Sequence, residues 1–137
     1  MNDLINFIKE KKSFLILSHQ HPDGDSVASC LSLKIILEKI GKKAKILNTD
    51  HLPFNLRKIK GNEFWEIRNE LPENYFEIFD GVFVLECPIF ERTGYKNIDK
   101  MPIINIDHHI SNLKYGNFNL VEPELPCLGM IIYDIAE

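Results

Sequence analysis

Cysteine is scarce: three residues in 137, Cys30, Cys87 and Cys127, widely spaced and without a CxxC pair. An odd, scattered set excludes a disulfide framework and a thiolate zinc site, and it favours a reducing compartment, the cytoplasm. Long apolar runs are missing too. The longest are of the Phe14-Leu17 and Val82-Leu85 kind, far short of the ~20 residues of a membrane span. The first residues include Asp3 and Glu10 and no extended apolar core, so no secretory signal is expected. Positive charge is not in surplus. Sixteen basic residues face twenty acidic ones, a net charge of −4, which excludes an electrostatic surface for long duplex nucleic acid. No glycine-rich phosphate loop is present among the seven glycines, which argues against a plain nucleotide-binding α/β domain without metal.

What is present is a chain of one-domain length with 45% hydrophobic and 26% charged residues, the balance of a soluble globular protein. Leu4, Ile5 and Ile8 recur at helical spacing, predicting a helix over Asn2 to Lys12 with Asn2 as its cap. Phe14-Ser18 is a short continuous apolar run, the mark of a strand covered on both faces. The loop HQHPDGD comes next, then a helix from Ser26 to Ile40 stopped by Gly41. Val27, Leu31, Leu33, Ile36, Leu37 and Ile40 make that helix apolar on most sides, so it is expected to be buried. Further strands are expected at Ala44-Asn48, Gly81-Glu86 and Pro102-Asp107, an irregular stretch of short helices and loops from His51 to Tyr75, and a helix opening at Gly129. Strands separated by helical segments predict an α/β fold with a mainly parallel sheet flanked by helices.

In such folds ligands collect at the carboxyl ends of the strands, and three strand ends here carry ligand-type side chains. The first supplies His19, Asp23 and Asp25, the second Glu86, and the third Asp107, His108 and His109. Each cluster alone has a plainer explanation. Pro22 and Gly24 make a turn and Asp25 suits a helix cap; Glu86 suits a solvated strand end; Asp107 suits a surface turn orienting one imidazole. DGDSV lacks the ligand spacing of a calcium loop. His51 reads as an ordinary loop histidine, and Cys87, with nothing nearby in sequence to lower its pKa, as packing. Three acid or imidazole clusters at three buried strand ends, taken jointly, favour a metal centre.

The run SHQHPDGDSVASCLSL, the strand followed by ERTG, and INIDHHISNLKYGNFNLVEP together resemble the DHH family of phosphoesterases, closest to its nanoRNase and pAp phosphatase branch. The resemblance spans nearly the whole chain. It implies two divalent ions, manganese in the first instance with magnesium or another divalent ion as substitute. By position His19 and Asp23 would bind one ion and Asp25 and His108 the other, with Glu86 where the family has a bridging aspartate. Asp107 would orient a neighbouring ligand, His109 would contact the scissile phosphate or assist proton transfer, and Arg92 matches the family's R-x-G near substrate. The implied reaction is hydrolysis of phosphate esters of small nucleotides (short oligoribonucleotides, pAp or linear di-nucleotides) by two-metal activation of water. The expected partner is therefore a small nucleotide or a short single-stranded oligoribonucleotide, with no long duplex and no membrane; a homodimer is permitted.

Two departures qualify that implication. Glu86 is one methylene longer than the expected aspartate, and a misplacement of ~1 Å can cost on the order of a hundredfold in rate. Asp80 cannot replace it, because it precedes the strand. The family's further aspartate ligand and its C-terminal substrate-binding domain are expected beyond Glu137, so residues 1–137 read as a DHH N-terminal domain, incomplete at its C-terminus. Asp134 falls in the last predicted helix, not after a strand. The alternative to an enzyme is a truncated or degenerate DHH domain that keeps the fold and some metal binding without turnover.

Overall fold

Strands form where the apolar runs are, and their alternate side chains feed two cores. The structure, a computed structural model, describes residues 1–96 and 98–137. The strands are β1 (Ser13–Ser18), β2 (Lys43–Asn48), β3 (Trp65–Ile67), β4 (Gly81–Leu85), β5 (Ile103–Asp107) and β6 (Phe118–Val121). They form one parallel sheet in the order β3-β2-β1-β4-β5-β6. Phe14 and Ile16 join Phe83, Leu85, Ile104 and Ile106 on one face, while Leu15 and Leu17 join Val82 and Val84 on the other. Burial on both faces is why these strands read as unbroken apolar runs.

The first face is covered by α1 (Asn2–Glu10), α2 (Gly24–Lys39) and α4 (Leu128–Ala136), which contribute Leu4, Ile8, Val27, Leu33, Leu37, Ile131 and Ile132. The second is covered by the short α3 (Tyr75–Ile78) and by loops carrying Phe79, Tyr95, Ile98 and Met101. Helices therefore flank the sheet unequally. No described helix is long and apolar enough to cross a membrane.

Several local expectations are corrected. Met1, not Asn2, is the N-cap of α1, and no side chain caps that helix. The helix expected from Ser26 begins at Gly24, and its cap is Asp23 rather than Asp25. The Asp23 carboxylate accepts from the Ser26 N–H at 2.9 Å, and the Ser26 hydroxyl answers the Asp23 N–H. Ile40 falls outside α2 as its exposed C-cap, and Ile35 within the helix is exposed too, so the buried face of α2 is narrower than its composition implied. The stretch from His51 to Tyr75 holds two single 3₁₀ turns, as the expected short helices and loops allow, but also β3, which was not expected. β6 was not expected at all. Cys87 packs in the second core, where burial pushes its thiol well up from the ordinary range.

The strand order reverses between β1 and β4, whose chain successors β2 and β5 lie on opposite sides. That reversal opens a crevice at the carboxyl edge. Asp80 lies at the opposite edge, where its Oδ2 accepts from the Lys12 and Ser13 N–H groups at 2.8 and 3.0 Å.

Candidate metal centre

Side chains just past the ends of three adjacent strands line the crevice: His19 and Asp23 after β1, Glu86 after β4, and His108 and His109 after β5. Each imidazole is held from behind. Nδ1 of His19 lies 2.6 Å from the Gln20 carbonyl oxygen, Nδ1 of His108 lies 3.1 Å from that of Leu125, and Nδ1 of His109 lies 2.6 Å from Asp107 Oδ1. Those oxygens only accept, so each Nδ1 carries the proton and each Nε2 is left with its lone pair outward. Three histidines in the tautomer a metal needs is the first mark of a ligand set.

The second is the clustering of donor atoms. Ligand atoms of His19, Asp23 and Glu86 lie within 4.8 Å of one another, as do those of Glu86, His108 and His109. Glu86 is the corner the two groups share. The geometry thus brings His109, expected beside the phosphate, into a ligand group. Asp25 stands 3.8 Å from His108 Nε2 but belongs to neither group.

Glu86 is the most perturbed residue of the crevice. It lies just past the end of β4 in the left-handed region, φ 59°, with its backbone N–H still donating to Ile106. For a residue with a Cβ this conformation costs roughly 1–2 kcal/mol. Its side chain is buried, and burial, followed by the charges of Asp25, Asp107 and Asp23, pushes its carboxyl up to about 8. Oε1 comes within 3.1 Å of His108 Nε2 but off the line of a hydrogen bond, and it has no hydrogen-bond partner among the described residues. An orphaned buried carboxylate oxygen facing imidazole lone pairs fits a divalent cation between them.

The remaining acids divide their duties. Asp23 uses Oδ1 to cap α2, and Oδ2 faces His19 Nε2 at 3.9 Å. Burial alone would raise its pKa, but the Ser26 N–H, His19 and the Ser26 hydroxyl outweigh burial and hold it below the usual value. Asp107 is fully buried, and its carboxylate accepts from the His108 and His109 N–H groups, His109 Nδ1 and Asn112 Nδ2 at 2.8, 3.3, 2.6 and 2.7 Å. So engaged, it sets the two-histidine turn. Asn112, whose role sequence reading missed, had its signal in the IDHHISN run.

Asp25 reaches across to α4, accepting from Leu128 N–H at 2.8 Å and Gly129 N–H at 3.1 Å. Cys127, the N-cap of α4, offers no side-chain bond of its own. Asp25→Ala should therefore fray α4 and cost ~1–2 kcal/mol, read as faster amide exchange over residues 128–132. Asp25→Asn should keep most of that protection. Equal exchange in the alanine variant and the parent would show that the cap is not needed.

Arg92 is exposed on the 3₁₀ turn after β4, and its carbonyl accepts from the Gln20 N–H at 2.7 Å. Gly94 lies two residues on with φ 79°, and a Cβ there would stand 2.6 Å from Gln20 Cδ. The glycine of ERTG thus lets the turn close on the residue next to His19. Asp134 is exposed on α4.

A doubly wound parallel sheet with an imidazole and carboxylate cluster at its switch point defines an α/β domain with a candidate divalent-metal centre. The profile described as DHH family, N-terminal domain, matches residues 13–137, and the chain belongs to that family. It is 27% identical over 124 residues to the bifunctional oligoribonuclease and PAP phosphatase NrnA of Thermus thermophilus, a match covering 89% of this chain and 36% of that protein. The chain thus spans about a third of the length of that curated relative. An exopolyphosphatase-related protein from Bacteroides fragilis superposes with a TM-score of 0.81 at 19% identity, over 98% of this chain and 42% of the other, which establishes the shared fold.

Proposed function

We propose that the chain is a metal-dependent phosphoesterase acting on small nucleotides, with short oligoribonucleotides, pAp and linear di-nucleotides as the substrate class. The observation that carries this is the orphaned Glu86 Oε1 set among imidazoles whose Nδ1 protons are already committed. Similarity to the oligoribonuclease and PAP phosphatase NrnA supports the substrate class. Mixed imidazole and carboxylate donors suit manganese better than magnesium.

His19, Asp23 and Glu86 would hold one ion, and Glu86 with His108, joined by His109 or Asp25, the other. Ions held there would supply Lewis-acid polarisation of a phosphoryl oxygen and lower the pKa of water. The protein's own part is orientation. Asp107 holds the His109 ring, so that Nε2 can take a proton or face the phosphate, and Arg92 stands exposed at the rim to meet substrate charge. In a chain of net charge −4, the anionic substrate would need cations held by these residues to draw it in.

The test is hydrolysis of pApA and pAp by the chain with manganese, magnesium or a chelator. Turnover with manganese and none with chelator is expected, and His108→Ala should weaken manganese binding more than about tenfold. Unchanged binding in that variant would sink the ligand assignment. A second reading is favoured by Glu86 at the bridging position and by Asp25's commitment to α4. In it the domain binds metal and nucleotide without turnover, and tight manganese binding with no hydrolysis would select it.

A further inference from the structure

Beside the metal centre, at the same edge of the sheet, lies a second hollow that the proposed hydrolysis does not use. It encloses about 500 Å³ and is lined by His51, Leu52, Arg57, Asn62, Trp65 and Ile67. Trp65 and Leu52 are buried and form an apolar floor, while His51, Arg57 and Asn62 are exposed polar walls. The hollow joins the metal loop through short contacts. Trp65 Nε1 donates to the Asp50 carbonyl at 3.0 Å, Asp50 Oδ2 accepts from His21 N–H at 2.6 Å, and Asn48 Nδ2 donates to the His19 carbonyl at 3.2 Å.

The segment that walls it runs against the charge of the whole chain. Residues 51–62 contain no Asp or Glu but carry Arg57, which lines the hollow, and Lys58 and Lys60 beside it, all exposed; Glu63 is the next residue. Arg57 spends one bond on the Leu52 carbonyl, Nε to O 3.3 Å, and lies 5.9 Å from the Phe54 ring; no carboxylate pairs with it among the described residues. Phe54 is 86% exposed, the most exposed aromatic side chain described. A largely exposed aromatic ring with a guanidinium that no carboxylate engages is what stacks a base and tracks a phosphate backbone. A comparable hollow of about 300 Å³ between Asn69 and Lys96 carries Glu70 and Glu73 instead, which would repel such a strand.

We infer that Phe54, Arg57, His51 and Trp65 form a subsite for a base and adjoining phosphate of a single-stranded oligonucleotide whose end lies in the metal centre. Neighbouring strands are ~4.8 Å apart, so the ends of β1 and β3 lie ~10 Å apart, within reach of a nucleotide or two along the strand. The inference rests on the phosphoesterase reading only for which end of the strand is cleaved. It makes a strand of three or more nucleotides a better ligand than a mononucleotide.

Trp65 is the sole tryptophan, so its fluorescence reports on this hollow directly. The full chain, stripped of metal, is titrated with a five-nucleotide single-stranded oligoribonucleotide and, separately, with a nucleoside monophosphate; turnover of the same oligonucleotide with manganese is measured alongside. The oligonucleotide should quench Trp65 at concentrations at least tenfold below those the monophosphate needs. Phe54→Ala should weaken that affinity roughly tenfold. Arg57→Gln should weaken it too and reduce the slope of log affinity against log salt by about one. Absence of quenching at millimolar oligonucleotide, or equal affinity in both variants and the parent, overturns the subsite. Turnover without quenching overturns it and leaves the hydrolase standing; quenching without turnover supports the subsite and removes the hydrolase.

Discussion

Asp107→Ala is expected to lower stability by ~3 kcal/mol, because it removes the acceptor of four donors at a buried position and leaves several of them unsatisfied, each worth ~1–3 kcal/mol. Water entering the vacated space and the solvent-accessible side of His109 keep the loss below a simple sum. For a domain of this size ~3 kcal/mol corresponds to a fall in Tm of ~10 °C. Manganese affinity should fall with it, because the backbone of His108 and the ring of His109 are both positioned by that carboxylate. Asp107→Asn keeps acceptor oxygen Oδ1 for three of the donors and sets an amide against the Asn112 amide, so it should cost less. Urea titrations of the three proteins check this. A loss under ~1 kcal/mol for alanine would mean that the turn is held by something other than the buried carboxylate.

The second large effect is the pH dependence imposed by Glu86. Its carboxyl, raised by burial and by the charges of Asp25, Asp107 and Asp23, titrates at about 8 in the folded chain against 4.5 ordinarily. Between those values the folded state holds a proton that the unfolded state has released. Stability of the metal-free protein is therefore fullest below the unfolded value and falls as pH rises toward 8, by up to ~1.4 kcal/mol per pH unit. Denaturation with chelator at pH 5.5 and 8.5 should show the lower midpoint at the higher pH. Glu86→Gln, neutral throughout, should flatten that dependence and lose manganese binding at the shared corner. Manganese bound at Glu86 would have to displace that proton, so its affinity for the parent should climb steeply with pH up to about 8. An identical pH slope in the parent and in Glu86→Gln would place the titration elsewhere.

The two effects differ in kind. Asp107 contributes to the fold whether or not metal is present, since its bonds are all to protein donors. Glu86 opposes the metal-free fold through backbone strain and, increasingly as pH rises from about 4.5 toward 8, through burial of its charge, and a cation bound there would offset that cost. A buried acid with a left-handed backbone and no hydrogen-bond partner for one oxygen is what a binding site, rather than a core, retains.

Much of this was written in the chain itself. Continuous apolar runs such as Phe14-Leu17 and Val82-Leu85 specify strands buried on both faces, and acids and imidazoles placed just after those runs necessarily fall at one edge of a parallel sheet. The fold class and the sheet edge at which the candidate residues gather were thus legible, because both depend on local hydrophobic pattern and on residue type. β3 and β6 were not. Three residues are too few to show a period, and the half-exposed edge strand Phe118–Val121 has no apolar run to mark it. The arrangement within the site was equally hidden. The tautomers of His19 and His108 are set by the carbonyls of Gln20 and Leu125, and every residue type carries a carbonyl. Asp25 meets α4 103 residues away, and His51, an ordinary loop histidine by sequence, shares a hollow with Arg57 and Trp65 only because β2 and β3 pair. Composition and periodicity are local properties of a chain, whereas backbone acceptors, long-range caps and shared hollows exist only once distant segments are packed together.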